Sequence, residues 1–149
     1  MIEVILITQP ADLDQAFVIR REVFVEEQQV PADEEYDEYE KTSRHFLARS
    51  HAVPCGTARW RETPKGIKLE RFAVRKDYRG QGVGKALVRA VLDDVFLYHG
   101  HPETVYMHAQ VSAMPLYAGF GFEPVGDLFD ECGIMHYKMV LPMTAYPVS

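Results

Sequence analysis

The stretch Leu69-Glu70-Arg71-Phe72-Ala73-Val74, followed by residues 75–78 and then by Arg79-Gly80-Gln81-Gly82-Val83-Gly84-Lys85-Ala86-Leu87, decides the fold. It reads as a strand that passes through a short turn into a glycine-rich helix start. Residues without side chains let successive backbone N–H groups converge on an anion, and the positive end of the helix dipole adds to the attraction. The chemistry is that of a phosphate cradle; a glycine turn without a ligand is the alternative reading of the glycines alone. Two common cradles are excluded at specific positions. A dinucleotide-binding GxGxxG starting at Gly80 needs glycine where Lys85 stands. A P-loop ending in Gly84-Lys85 needs glycine at Arg79 and Ser or Thr at Ala86.

Outward from this segment the chain alternates between the two periodicities. Residues 2–7 are β-branched and apolar enough for a buried strand, and Pro10 opens a helix in which Leu13, Phe17 and Phe24 recur through about Gln28. Residues 31–44 are acidic and read as irregular. Strands are expected at 45–50, 55–62 and 67–75, the last two joined by the turn Thr63-Pro64-Lys65-Gly66. A long helix over about 82–98 carries Val83, Leu87, Val91 and Val95 on one face and ends at His99-Gly100-His101-Pro102. A strand at 104–109, a short helix around 112–118 and strands at 122–125 and 134–141 complete the order β-α-β-β-β-α-β-α-β-β. The crossover from strand 67–75 through the helix to strand 104–109 suits a parallel pair. The expectation is one α/β (α+β) domain over residues 1–149, with a mixed, largely antiparallel sheet.

Bulk properties narrow the function classes. With 149 residues, 47% hydrophobic and 26% charged, the chain has a globular composition. A formal charge of −6 disfavours nucleic acid. No apolar run approaches a membrane span, and the N-terminus lacks the marks of a secretion signal, so a cytoplasmic protein is expected. Cys55 and Cys132 have no CxxC spacing and are read as packing residues; the pair His99 and His101 completes no metal-ligand pattern, so no metal is expected. The acidic run Asp33, Glu34, Glu35, Asp37, Glu38 and Glu40 is read as a solvated loop in preference to a site for a cationic amine.

Arg79-x-x-Gly82-x-Gly84 resembles the Gln/Arg-x-x-Gly-x-Gly/Ala motif of the GNAT superfamily of acyl-CoA N-acyltransferases. The segment Gln110-Val111-Ser112-Ala113-Met114-Pro115-Leu116-Tyr117-Ala118-Gly119-Phe120-Gly121-Phe122 is similar to that family's Asn-x-x-Ala-x-x-Leu-Tyr-x-x-x-Gly-Phe, with Gln110 in place of the usual Asn. Residues 20–28, Glu35-Tyr36-Asp37 and Gly133-Ile134-Met135-His136 resemble the ElaA/YjcF-type branch. The resemblance implies a sheet splayed beside the cofactor and direct transfer of an acetyl group from acetyl-CoA to an amine. It implies that the backbone of Arg79, Gly80, Gln81, Gly82, Val83 and Gly84 holds the pyrophosphate. Phe72, Ala73 and Val74 would flank the cofactor arm and polarise the thioester, and Gln110 would contact the cofactor.

Tyr117 matches the family's general acid, able to protonate the leaving thiolate. Glu70 is the expected base, because strand alternation would put it on one face with Phe72 and Val74; His136 and His108 stand behind it. The expected partners are a small-molecule or peptide amine, with no nucleic acid and no membrane, and a homodimer is left open. Two other functions stay open: acyl transfer to S-adenosylmethionine, as in acylhomoserine-lactone synthases, and a non-catalytic CoA-binding sensor.

Overall fold

A computed structural model describes residues 1–100 and 102–142; His101, one of the histidine pair noted above, lies outside them. Ile2–Leu6 forms β1, and Pro10–Arg20 forms α1, with Pro10 in the first turn, where its missing N–H costs nothing. The helix runs on as a π-helical segment, Arg21–Glu27, in which the Gln28 amide bonds the Val23 carbonyl five residues back. The chain then forms a one-turn α2 (Ala32–Glu35), β2 (Arg44–Ser50), β3 (Val53–Thr63), β4 (Gly66–Val74), α3 (Val83–His99), β5 (Val105–Gln110), α4 (Met114–Ala118), β6 (Glu123–Glu131) and β7 (Ile134–Leu141).

Among the described residues seven strands form one sheet in the order β1-β2-β3-β4-β5-β7-β6. All neighbours are antiparallel except β4 and β5, the two strands joined through α3. On α3 the expected stripe Val83, Leu87, Val91 and Val95 is fully buried, with Val88 and Leu92 beside it, against Ala58, Trp60, Leu69, Val105 and Met107 of the sheet. Each such side chain contributes about 1.5–3 kcal/mol on burial. The opposite face is covered by Ala16, Ile19, Val23 and Phe24, packed on Leu47 and Ala73. Leu13 and Phe17 lie only partly buried, so the buried stripe of the first helix is displaced from the one expected. β1 is an edge strand and half-buried, and β6 runs six residues past its expected end because Glu131 still pairs with Ile134.

Two irregularities of β4 create the site. Its parallel ladder with β5 covers only Ile67–Leu69, opposite Val105–Met107. Past Leu69 and Met107 the two strands have no ladder between them, and a cleft opens there. Against β3, Arg59 pairs with Glu70 but Thr57 with Ala73, so Ala58 stands opposite both Arg71 and Phe72. Arg71 adopts the positive φ of this bulge, 60°. The extra residue inverts the alternation. Glu70 lies with Arg59 on the α1 face, whereas Phe72 and Val74 pack in the α3 core. The expected shared face of Glu70, Phe72 and Val74 fails for this reason.

Candidate active site

The glycine turn expected to hold an anion sits where β4 runs out. After Val74, a 3₁₀ turn (Lys76–Tyr78) leads to Gly80 and Gly82, with φ of 76° and 87°, and α3 begins with no side chain capping its amides. Those first N–H groups have no partner within the helix. A Cβ built on Gly80 or Gly82 meets no atom within 4 Å, so the backbone of both is open to a ligand. Gly84 serves a different purpose: a Cβ there comes 3.1 Å from Leu116 Cδ2, so its bareness seats α3 on α4. Arg79 braces the loop, with Nε donating to the Val74 carbonyl (3.0 Å) and Nη2 to Glu27 (2.9 Å). Gln81 donates to the Asp77 carbonyl at 3.3 Å. The open face, the left-handed glycines and the uncapped helix dipole fit a diphosphate group.

The cleft between β4 and β5 brings together Glu70, Phe72, Gln110 and Tyr117 of the expected set. Tyr117, on α4, is buried, its ring edge-on to Phe72 at 5.7 Å and Phe122 at 6.3 Å. Burial pushes its phenol above the usual range, so it is protonated at neutral pH. Gln110 exchanges side-chain amide hydrogen bonds with Gln28 at the end of the π segment, at 2.9 and 3.4 Å, tying the first helix to β5.

Glu70 is held from several sides. Its Oε2 accepts from Arg59 Nε (2.7 Å), Arg59 Nη2 and Arg61 Nε (3.0 Å), and Lys68 Nζ lies 3.3 Å from Oε1. Burial alone would raise its pKa, but Arg59, Lys68 and Arg61 outweigh it and hold the carboxyl below the usual carboxylate range. Arg59 also grips Asp37 and Glu40, and Arg20 binds Glu35 and Glu40.

The acidic run is therefore a solvated loop only in part: Asp33, Glu34 and Glu38 are exposed. Glu35, Asp37 and Glu40 turn inward onto arginines, and Glu35 is 2% exposed. Arg59 and Arg61 were not among the expected site residues, although two arginines flanking the buried Trp60 are a signal of a buried ion network. Gly56 was not singled out either; its absent Cβ admits Val83 Cγ1 at 2.9 Å.

The far wall of the cleft is built by β5, β6 and β7. His108 Nδ1 lies 3.5 Å from Glu131 Oε2, and the His108 contact depresses the Glu131 pKa despite partial burial. His136 stacks on Phe129. Cys55 is buried as expected, but Cys132 is exposed at the cleft rim, donating to Glu34 at 3.0 Å, and is not a packing residue. The Glu34 carboxylate beside it raises that thiol's pKa to about 11. Among the described residues no group of three or more His, Cys, Asp or Glu is placed to hold a metal, and no helix is long and apolar enough to cross a membrane.

A mixed sheet split between its parallel strands, with an open glycine cradle at one end of the split, defines an acyl-CoA-dependent acyltransferase. The model of the acetyltransferase (GNAT) domain matches residues 9–143, and the chain belongs to that family. It is 39% identical over 133 residues to the uncharacterized N-acetyltransferase YjcF of Bacillus subtilis (strain 168), covering 86% of this chain and 91% of that one. Protein ElaA of Escherichia coli (strain K12) is 30% identical over 125 residues, 81% of each chain. The ElaA crystal structure superposes with a TM-score of 0.81 at 25% identity, over 95% of this chain and 100% of that one. A Bacillus subtilis acetyltransferase in complex with CoA shares the fold, with a TM-score of 0.69 at 16% identity over 95% and 98% of the two chains.

Proposed function

We propose that the protein transfers an acetyl group from acetyl-CoA to the primary amine of a small molecule or peptide, by direct attack within a ternary complex. One observation carries the reading: the open backbone of Gly80 and Gly82 lies at the end of the same strand, β4, whose unpaired edge leads past Phe72 to Tyr117. The family membership supports it, as does the CoA complex of a protein with the same fold. Acetyl-CoA supplies the activated thioester. The amides at the start of α3 hold its diphosphate, and the backbone of Phe72, Ala73 and Val74 lines its arm and polarises the carbonyl.

Tyr117 keeps its proton at neutral pH and delivers it to the departing sulfur. Gln110, held by Gln28, borders the arm on the β5 side. Glu70, ionised and engaged on both oxygens, orders the acceptor end of the cleft and is a weak proton acceptor in that state. The acidic charge and two unpaired cysteines suit a cytoplasmic setting.

The test is a panel of primary amines, from short alkylamines and diamines to peptide N-termini, with acetyl-CoA in excess. Thiol release and the acetylated product are followed together, because exposed Cys132 contributes a thiol of its own. Amine-dependent release with a matching acetyl-amine supports the reading. Absence of both across the panel overturns it.

A further inference from the structure

His136 stands on β7 directly opposite Gln110 of β5, buried, in the wall of the cleft that Tyr117 and Phe72 also line. Its Nδ1 lies 2.7 Å from the carbonyl oxygen of Ile134. A carbonyl only accepts, so Nδ1 carries the hydrogen and the neutral ring keeps its lone pair on Nε2. Phe129, paired across β6 and β7, stacks on the imidazole at 5.8 Å with the planes 22° apart, which fixes the ring's orientation.

The carboxylates around it are already engaged. From β4, Glu70 is bound by Arg59, Arg61 and Lys68. From β6, Glu131 faces His108 of β5, and from α2, Glu34 accepts from Cys132 while Glu35 is bound by Arg20 and approached by Arg71. On its own strand the next side chain on the same face is Lys138.

We infer that His136, through Nε2, is the base that takes the proton from the acceptor ammonium. The inference rests on the acetyl-transfer reading and adds the residue that reading lacks. The proton balance closes with the groups named. Of the ammonium's three protons, one passes to His136 and on to solvent, which frees the nitrogen lone pair to form the C–N bond. One stays as the amide N–H. The third replaces the proton that Tyr117 gives the sulfur when the C–S bond breaks and the thiolate departs with the electron pair. The nitrogen is thereby neutral in the product amide, and CoA leaves as a thiol.

The test compares wild type with His136→Asn and His136→Gln in the full chain. An Asn at this place can still offer an N–H to the Ile134 carbonyl but has no basic nitrogen, so the structural bond is spared. The expected result is a fall in kcat of about 100-fold or more with the best amine, loss of the acidic limb of the pH profile, and CoA affinity within about twofold of wild type. Independently of turnover, nitrogen NMR of the histidine-labelled protein should show His136 protonated on Nδ1 and bare on Nε2. A variant with the wild-type pH profile and turnover, or an Nε2–H tautomer, overturns the role of His136 alone. A wild type inactive on every amine overturns acetyl transfer and this inference with it.

Discussion

Arg59 lies directly opposite Glu70 in the β3–β4 register and donates to a single oxygen of it from two nitrogens, Nε at 2.7 Å and Nη2. The same guanidinium holds Asp37 and Glu40 of the segment after α2. One buried arginine thereby fastens the loop after α2 to the strand beneath it. Charges removed from water are tolerated when they are compensated, and this cluster alternates signs from Arg20 to Lys68, leaving Glu35 Oε2 as a buried oxygen without a hydrogen-bond partner.

Removing the Glu70 charge should therefore act on stability before chemistry. Glu70→Gln leaves Arg59, Arg61 and Lys68 short of a counter-charge. Breaking a buried pair costs 3–5 kcal/mol in general, and the retained amide oxygen puts this case near about 3 kcal/mol. For a domain of this size that lowers Tm by about 6–12 °C. Scanning calorimetry checks it, and a shift under about 2 °C contradicts it. The pH–rate profile should keep its acidic limb; loss of that limb in Glu70→Gln would make Glu70 the base instead of His136.

The network also sets how the fold responds to acid. Partial burial disfavours the Asp37 charge, but hydrogen bonds from Arg59 and the nearby Arg71 charge prevail and lower its pKa from 3.8 to about 2. Glu40 and Glu70 are lowered likewise. A depressed folded-state pKa means that the unfolded chain binds protons first. The stabilisation is thus complete above about pH 5, clear of the unfolded values of 3.8 and 4.5, and is lost as the pH falls toward about 2. Urea midpoints should be level near neutrality and drop through that window. In Asp37→Asn the midpoint should start lower and fall less steeply. A wild-type midpoint unchanged down to about pH 3 would contradict the assignment.

The helical stripe of α3, the hairpin at Thr63–Gly66 and the parallel crossover were legible in the sequence because each rests on local periodicity or turn chemistry. The glycine turn leading into α3 was legible for the same reason. The position of Glu70 was not. It depends on one extra residue at Arg71–Phe72, and nothing local marks the bulge, since Arg71 is not a glycine. The inward half of the acidic run, Glu35, Asp37 and Glu40, was not legible because charge blocks are ordinarily solvated and its partners Arg20, Arg59 and Arg71 lie far along the chain. His136 was visible only as a lone histidine; its free nitrogen follows from a carbonyl two residues away.

Gly82 tests the cradle. Its φ of 87° strains any β-branched replacement, and a new side chain would point into the open space proposed for the diphosphate. Gly82→Val should cost roughly 1–2 kcal/mol of stability. It should also weaken CoA binding at least tenfold, about 1.4 kcal/mol or more. Calorimetric titration of the folded variant decides the matter, and unchanged affinity would remove the cradle. Gly84→Ala should behave differently. Its contact is with Leu116, so it should shift the seating of α3 on α4 and lower Tm, with a smaller effect on CoA.

Tyr117→Phe isolates one hydroxyl. The ring's edge contacts with Phe72 and Phe122 survive the change, so folding and CoA affinity should be close to wild type. General-acid catalysis contributes about 10²–10⁴-fold in rate. Two features pull the expectation toward the lower end. Burial raises the phenol's pKa, which keeps the proton in place but weakens it as a donor. A thiolate is also a good leaving group that needs less help than an alkoxide. The expected loss in kcat is therefore about 100-fold. A more reactive thioester, with a more acidic leaving thiol, should narrow the gap between variant and wild type, because protonation then matters less to the departure of sulfur. Steady-state turnover with both donors, beside CoA titration, measures this. A loss below about threefold with affinity intact would leave Tyr117 as a packing residue and hand the acid role to water.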